Sequence, residues 1–213
     1  MDYLVSGVGV LDKTMHLLNQ IERRQPLGFQ ELAESVAFPR TTTHRLVAAL
    51  ETHGFVRRDE RGLLVTGSRF ATASLSQIAT PVLERLSADT GESTQLFVRR
   101  GPHRLVVVSI ESSEELRTMV PVGALLTVHK GSAGRLLRGD EDALRDGWVQ
   151  SVGERAAGIA SVSAPVHSGR QVVAAVCLSG PVERLGADPG PRYAEAVMAA
   201  AKEIEIAAAT SSD

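Results

Sequence analysis

The chain has one cysteine, Cys177. A lone cysteine excludes an intramolecular disulfide and any Cys-x-x-Cys metal or redox motif. Net charge is almost absent as well: 23 basic residues against 25 acidic ones leave −2. That balance excludes a generally basic, histone-like nucleic-acid binder, but not a localised basic patch. Lysine is scarce, with 3 of the 23 basic residues. The rest are arginine, whose planar fork suits phosphate and guanine. Long apolar runs are missing. The longest, Val172 to Leu178, is far short of the roughly 20 residues of a membrane helix. The opening MDYLVSG carries an acid at position 2 and no basic n-region, so no signal peptide is expected. The chain therefore reads as a soluble cytoplasmic protein with no membrane partner.

Motifs for chemistry are missing too. There is no Gly-x-Ser-x-Gly, no His-Glu-x-x-His and no P-loop. Gly7-Val8-Gly9 opens a helix rather than following a strand, so it is no nucleotide fingerprint. The six histidines, at 16, 44, 53, 103, 129 and 167, lack metal-ligand spacing. Only His129, beside Gly131 to Gly134, stands near a segment of interest. Catalytic residues, metal sites and cofactors are all expected to be none.

What is present falls into two parts. Residues 1–66 read as three helices and a hairpin. The first helix runs from about Val8 to Arg23, with Leu11, Met15, Leu18 and Ile21 as one apolar stripe. A short second helix, Gln30 to Val36, buries Leu32, Ala33 and Val36. The third begins near Arg40 or Thr41 and stops at Gly54. On it Thr43, Leu46, Val47 and Leu50 fall at i, i+3, i+4 and i+7 and face the core. The opposite face carries Thr41, Arg45, Ala48 and Thr52, with His44 on its flank. Short side chains allow approach to base edges, and one arginine reaches guanine. Two short helices with such a second face describe a helix-turn-helix. Phe55-Val56-Arg57-Arg58 and Leu63-Leu64-Val65-Thr66, around a charged turn ending in Gly62, read as a hairpin wing. Between Phe38 and Arg58 there are four arginines and one glutamate, although residues 1–66 as a whole balance. The expected DNA contacts are Arg40, Thr41, Thr42, His44 and Arg45 at the groove and Arg57, Arg58 and Arg61 in the wing.

Residues 67–77 are rich in serine and alanine and read as a linker helix, where Arg69 is either a contact to the DNA backbone or, at least as readily, an ordinary solvent-exposed arginine. Residues 78–213 form the second domain. It starts with an amphipathic helix over Ile78 to Thr90, followed by hairpin strands Gln95 to Arg99 and Arg104 to Ile110. A third strand is predicted over Leu116 to Val122. Then come a short helix after Gly131, further strands Ile159 to Val166 and Val172 to Leu178, and a final alanine-rich helix from Tyr193. The pattern is α+β, an antiparallel sheet with helices on its faces.

With both halves in view, the chain resembles the IclR family of bacterial transcription regulators over nearly its whole length. The resemblance rests on VGVLDKTMHLLNQI, on FPRTTTHRLVAALETHGFVRRDERG, on TGSR, and on Gly147-x3-Ser151-x2-Glu154-x6-Ser161-Val162-Ser163-x2-Val166-His167. That last spacing matches the family's effector-domain signature, with Ser168 where Asp or Asn is usual. Family members usually carry a longer helical stretch before it. Here only Gly139 to Asp146 separates Arg138 from Gly147. The wording of TGESTQLFVRRG and LRTMVPVGALLTVHKGSAG is similar to actinobacterial regulators of leucine and related amino-acid biosynthesis.

The resemblance implies a winged helix-turn-helix, a linker helix and a GAF-like effector domain. It implies a homodimer or dimer of dimers on double-stranded operator DNA, with helix one and the linker helix as dimer surface. It also implies a small organic or amino acid as effector. The family's pocket positions fall here on Leu126, Ala133, Ser151, Ile159, Ser161, Cys177 and Ser179, with Met119 and Ser132 nearby. None is charged, so a carboxylate would depend on hydroxyls and on N–H groups at the start of the Ser132 to Leu137 helix. Two other classes stay open: a small-molecule enzyme with appended helices, which lacks a visible nucleophile–base pair, and a sensor or partner-binding module without DNA readout.

Overall fold

The structure is a computed structural model that describes residues 6–210, with backbone only at 68, 70 and 71. The opening MDYLV, weighed above for a targeting signal, lies outside the described residues. The chain divides into two compact units, one up to Ala73 and one from Ser74.

The first unit contains α1 (Gly9–Arg24), α2 (Phe29–Ser35), α3 (Arg40–Thr52), β1 (Val56–Arg58) and β2 (Leu64–Thr66). Its core joins Leu17, Leu18 and Ile21 of α1 to Leu32, Val47, Leu50, Val56 and Leu64. The α1 stripe therefore differs from the sequence expectation. Leu11 and Met15 lie on the stripe by angle but are exposed. The core of three helices and a two-stranded hairpin ends before it reaches them. The hairpin pairs Val56 with Thr66 and Arg58 with Leu64. Leu27 and Leu64 exchange backbone hydrogen bonds of 3.0 and 2.8 Å, which ties the wing to the segment after α1.

The second unit begins on α4 (Ser68–Thr90), one continuous helix where the sequence suggested two. There follow β3 (Ser93–Arg100), β4 (His103–Ile110), β5 (Leu125–Thr127), α5 (Ser132–Arg138), α6 (Glu141–Arg145), β6 (Val149–Val152), β7 (Ile159–Ser168), β8 (Gln171–Pro181), α7 (Val182–Leu185) and α8 (Gly190–Thr210). The six strands form one antiparallel sheet in the order β5-β4-β3-β8-β7-β6. The strand predicted over Leu116 to Val122 is not formed. Pro121 has no N–H for a ladder, and its carbonyl accepts from Ala124 N–H in a turn completed by Gly123 at φ +90°. Leu116, Met119 and Val122 are left exposed, and Val120 is buried. α6, N-capped by Asp140, occupies the shortened stretch before Gly147.

Alternation along the strands sends two sets of side chains to opposite faces. One set, including Leu96, Val108, Val162, Val176 and Leu178, packs with Leu83 of α4 and Val197 and Ile204 of α8. The other, including Phe97, Val106, Val149, Ala175 and Cys177, packs with Leu136 and Leu137 of α5. A bulge between Leu96 and Phe97 drops Val107 from the register, which keeps both sets in phase. Among the described residues, no helix is long and apolar enough to cross a membrane.

Candidate nucleic-acid interface and ligand cavity

α3 turns Thr43, Val47 and Leu50 into the core, which leaves Arg40, Thr41, His44, Arg45, Ala48 and Thr52 exposed on the other side. Thr42 is half-buried and shares a cleft with Val10 and Lys13 of α1 and with Arg45. Phe29 of α2 sits under this face. It lies 5.7 Å from the His44 ring, edge on, and 5.8 Å below the Arg40 guanidinium. Arg45 has no hydrogen bond or ion pair among the described residues, so its guanidinium is free for an outside acceptor.

The wing arginines differ from one another. Arg58 Nε lies 2.9 Å from Glu51 Oε1, and its Nη1 donates to the Gly62 carbonyl at 3.0 Å. It thus joins the end of α3 to the wing turn. Asp59 Oδ1 holds that turn by accepting from the N–H groups of Arg61 and Leu63, both at 2.9 Å. The side chains of Arg57 and Arg61 are exposed and have no such partner among the described residues. Arg69 is engaged inside its own unit: Nε donates to the His53 carbonyl at 2.8 Å, and the guanidinium lies 5.0 Å over Phe55. It closes the C-terminal end of α3.

The second unit contains a cavity on the α5 side of the sheet. The register builds its floor. Ser151, Ser161 and Ser179 lie side by side on β6, β7 and β8, and the next row on that face reads Val149, Ser163, Cys177, Gln95. α5 lies over this floor and presents Ser132 and Ala133, and Ile159 closes one side. The hydroxyls are linked. Ser132 Oγ is 2.8 Å from both Ser161 Oγ and Ser163 Oγ, and Ser151 Oγ is 3.1 Å from Ser161 Oγ. Burial pushes the Cys177 thiol above its ordinary pKa, against the pull of hydrogen bonds to Ser163 and Ser132, so it is a small, un-ionised lining group.

Two of the nine side chains assigned through the family likeness do not line the cavity. Met119 is 59 % exposed, because it points outward between the buried Thr118 and Val120 on the segment before Pro121, and only Val120 of these lines the cavity. Leu126 packs against the Phe97 and Val106 cluster instead. His129 is exposed. The helix-start donors are also fewer than expected, since Gly131 N–H already donates to Glu154 Oε2 at 2.9 Å.

The larger correction is that the cavity is charged. Arg104, at the start of β4, is 3 % exposed and lines it, as do Gln95, Phe97, Val120 and the half-buried Arg155. The Arg104 guanidinium lies 5.1 Å over the Phe97 ring and donates through Nη1 to the Lys130 carbonyl. Among the described residues its Nε has no partner, and neither has Gln95 Nε2. Burial lowers the Arg104 pKa from its ordinary value. Two glycines make room for it. A Cβ on Gly131 would come within 3.2 Å of Nη2, and one on Gly134 within 2.5 Å of Nη1. The paired glycines around Ser132-Ala133 are the sequence signal that something large lies against this turn. Among the described residues, no group of His, Cys, Asp and Glu could hold a metal.

The comparisons with known proteins agree with this architecture. The IclR helix-turn-helix domain model matches residues 10–60. The IclR C-terminal domain model matches 69–143 and 141–206, and the two stretches meet at the shortened segment. The chain is 26 % identical over 234 residues to the transcriptional regulator KipR of Bacillus subtilis, covering 90 % of this chain and 94 % of that one. It is 28 % identical to the crystal structure of a putative IclR-family regulator from Rhodococcus, with a TM-score of 0.60 over 97 % and 96 % of the two chains. An IclR homologue of Microbacterium hydrocarbonoxydans, crystallised with 4-hydroxybenzoate, shares the fold at 21 % identity and a TM-score of 0.58, over 94 % of this chain and 99 % of that one. The fold is thus a helix-turn-helix unit followed by an antiparallel sheet with helices, the relatives are regulators rather than enzymes, and this chain belongs to the IclR family of bacterial DNA-binding transcription regulators with a C-terminal effector-binding domain.

Proposed function

We propose that this protein grips a near-palindromic operator as a homodimer or dimer of dimers, with a small organic acid in the cavity setting its hold on DNA. The observation that carries the effector half is Arg104, buried and with an unpaired Nε in a cavity floored by serine hydroxyls. A buried cation without a counter-ion is costly, and an anionic ligand relieves that cost. The 4-hydroxybenzoate bound by the Microbacterium relative is also an acid. Effector binding acts through unequal affinity for two arrangements of the DNA-binding units. The exposed Val8, Leu11 and Met15, spaced i, i+3 and i+7 on and beside α1, give one apolar face suited to the dimer contact.

For DNA, the proposed groove contacts are Arg40, Thr41, Thr42, His44 and Arg45, and the proposed wing contacts are Arg57, Arg58 and Arg61. The proposed targets are genes of leucine or related amino-acid biosynthesis, of the isopropylmalate isomerase kind. What supports this target is the sequence likeness of TGESTQLFVRRG and LRTMVPVGALLTVHKGSAG to regulators of those genes. A cytoplasmic location goes with the role. The test is fluorescence anisotropy with DNA from upstream of the protein's own gene and of such an operon, at two salt concentrations. Tight binding that weakens steeply with salt supports the reading. Absent or salt-insensitive binding refutes it in favour of a partner-binding module.

A further inference from the structure

Among the described residues two guanidiniums line the cavity, Arg104 and Arg155, and no aspartate or glutamate does. Neither arginine has an ion pair among the described residues. Glu154, whose charge is felt at Arg104, gives Oε2 to the Gly131 N–H and lies beyond ion-pair distance. Arg104 is fixed from three sides, by the Phe97 ring, by the Lys130 carbonyl and by the Cβ-free faces of Gly131 and Gly134. Arg155 sits on the turn between β6 and β7. Gln95 gives Oε1 to the Ser179 hydroxyl and keeps its Nε2 without a partner, although it is 1 % exposed. The unmet groups are therefore all donors, and two are cationic.

We propose that the cavity selects a small dicarboxylate over a monocarboxylate or an amino acid, with one carboxylate on Arg104 and the other on Arg155. This rests on the effector reading above and narrows its chemistry. Arg104 is preorganised for its carboxylate, because the guanidinium is already oriented and desolvated before binding. Gln95 Nε2 donates to a further oxygen of the ligand. Phe97, Val120 and Ile159 take a short alkyl branch. An α-amino acid is rejected because its ammonium group finds no carboxylate in the lining and two like charges instead. The cavity as it stands has room for about one water molecule, about 20 Å³. Entry therefore moves the lining, and Val120 and Arg155 are the lining side chains carried by loops rather than by strand or helix.

The test is calorimetric titration of the full-length protein with succinate and 2-methylsuccinate, with butyrate and isovalerate, and with L-leucine, paired with thermal-shift measurements. The dicarboxylates are expected to bind at least tenfold more tightly than the monocarboxylates, with leucine weakest. Arg155→Gln, on a half-exposed turn, is expected to fold as the wild type does and to erase the tenfold preference. Arg104→Gln is expected to lose binding of both acid classes. Should that variant fail to fold, Arg104→Lys, which keeps the charge but not the fork, is expected to weaken both classes. Equal affinity of succinate and butyrate for the wild type overturns the dicarboxylate assignment and leaves the acid-effector reading standing, as does an undiminished preference in Arg155→Gln. Tightest binding by leucine overturns both, and so does absence of binding by every probe.

Discussion

Gly134→Ala tests whether α5 is held against the sheet as described. Gly134 lies in helical backbone and not at positive φ, so conformation does not oppose alanine, and helix propensity alone favours it by about 1 kcal/mol. Space opposes it. The added Cβ would stand 2.5 Å from the Val128 carbonyl oxygen and 2.5 Å from Arg104 Nη1. Both lie about half an ångström inside any real Cβ contact. Arg104 cannot yield freely, since it is buried against Phe97 and held by the Lys130 carbonyl, and the Val128 oxygen is main chain. Overpacking of this kind costs up to about 3 kcal/mol, which leaves a net loss of about 2 kcal/mol after the helix gain. For a unit running from Ser74 to the C-terminus, that is a fall of about 6 °C in melting temperature. Circular dichroism melting of wild type and variant reads it directly. A melting temperature equal to or above the wild type's would mean that propensity wins, and would refute the packing of α5 on Arg104.

Five further outcomes are expected. Arg45→Ala should cost about 1–3 kcal/mol in operator binding and relax sequence preference, with no change in melting temperature, because Arg45 has no hydrogen bond or ion pair among the described residues; unchanged gel shifts would exclude it from the groove. Arg57→Ala should lower the salt slope of DNA binding by about 1 for one lost phosphate contact, whereas Arg58→Ala, which also breaks the Glu51 and Gly62 contacts, should loosen the wing as well, seen as faster amide exchange at Asp59 to Leu63. Arg184→Ala strands the buried Glu92 carboxylate, which now receives Arg184 Nε and Nη2 at 2.7 Å each, and should destabilise the second unit by about 2–4 kcal/mol in chemical denaturation, the partial exposure of Arg184 favouring the lower end. The Ala143 N–H, then Arg135 and Arg138, hold the Asp140 carboxyl below its ordinary pKa. A depressed folded-state pKa adds stability above the ordinary value and loses it as pH falls through the folded one. The denaturation curves of wild type and Asp140→Asn should thus differ at neutral pH and converge in strong acid.

The sequence by itself determined the local elements whose periodicity is unambiguous. Thr43, Leu46, Val47 and Leu50 repeat with the pitch of a helix, so the inward side of α3, and with it the outward side bearing Arg45, followed from spacing alone. The charged turn ending at Gly62 fixed the wing in the same way, since a two-stranded hairpin is a nearest-neighbour structure. Periodicity failed where a neighbour is required. Leu11 and Met15 have the right angle on α1 but no core beside them, and the apolar residues of 116–122 are interrupted by Pro121. Tertiary structure alone decided the cavity. Ser151, Ser161 and Ser179 become neighbours only through the pairing of β6, β7 and β8, and no local rule specifies that register. Arg104 in a run reading HRLVVVSI resembles a strand-end arginine facing water. It becomes a buried cation only because α5, thinned by Gly131 and Gly134, folds over it. Helix faces and tight turns are set by interactions within a few residues. The charge of the effector cavity is set by contacts between segments far apart in the chain, and only the folded sheet brings them together.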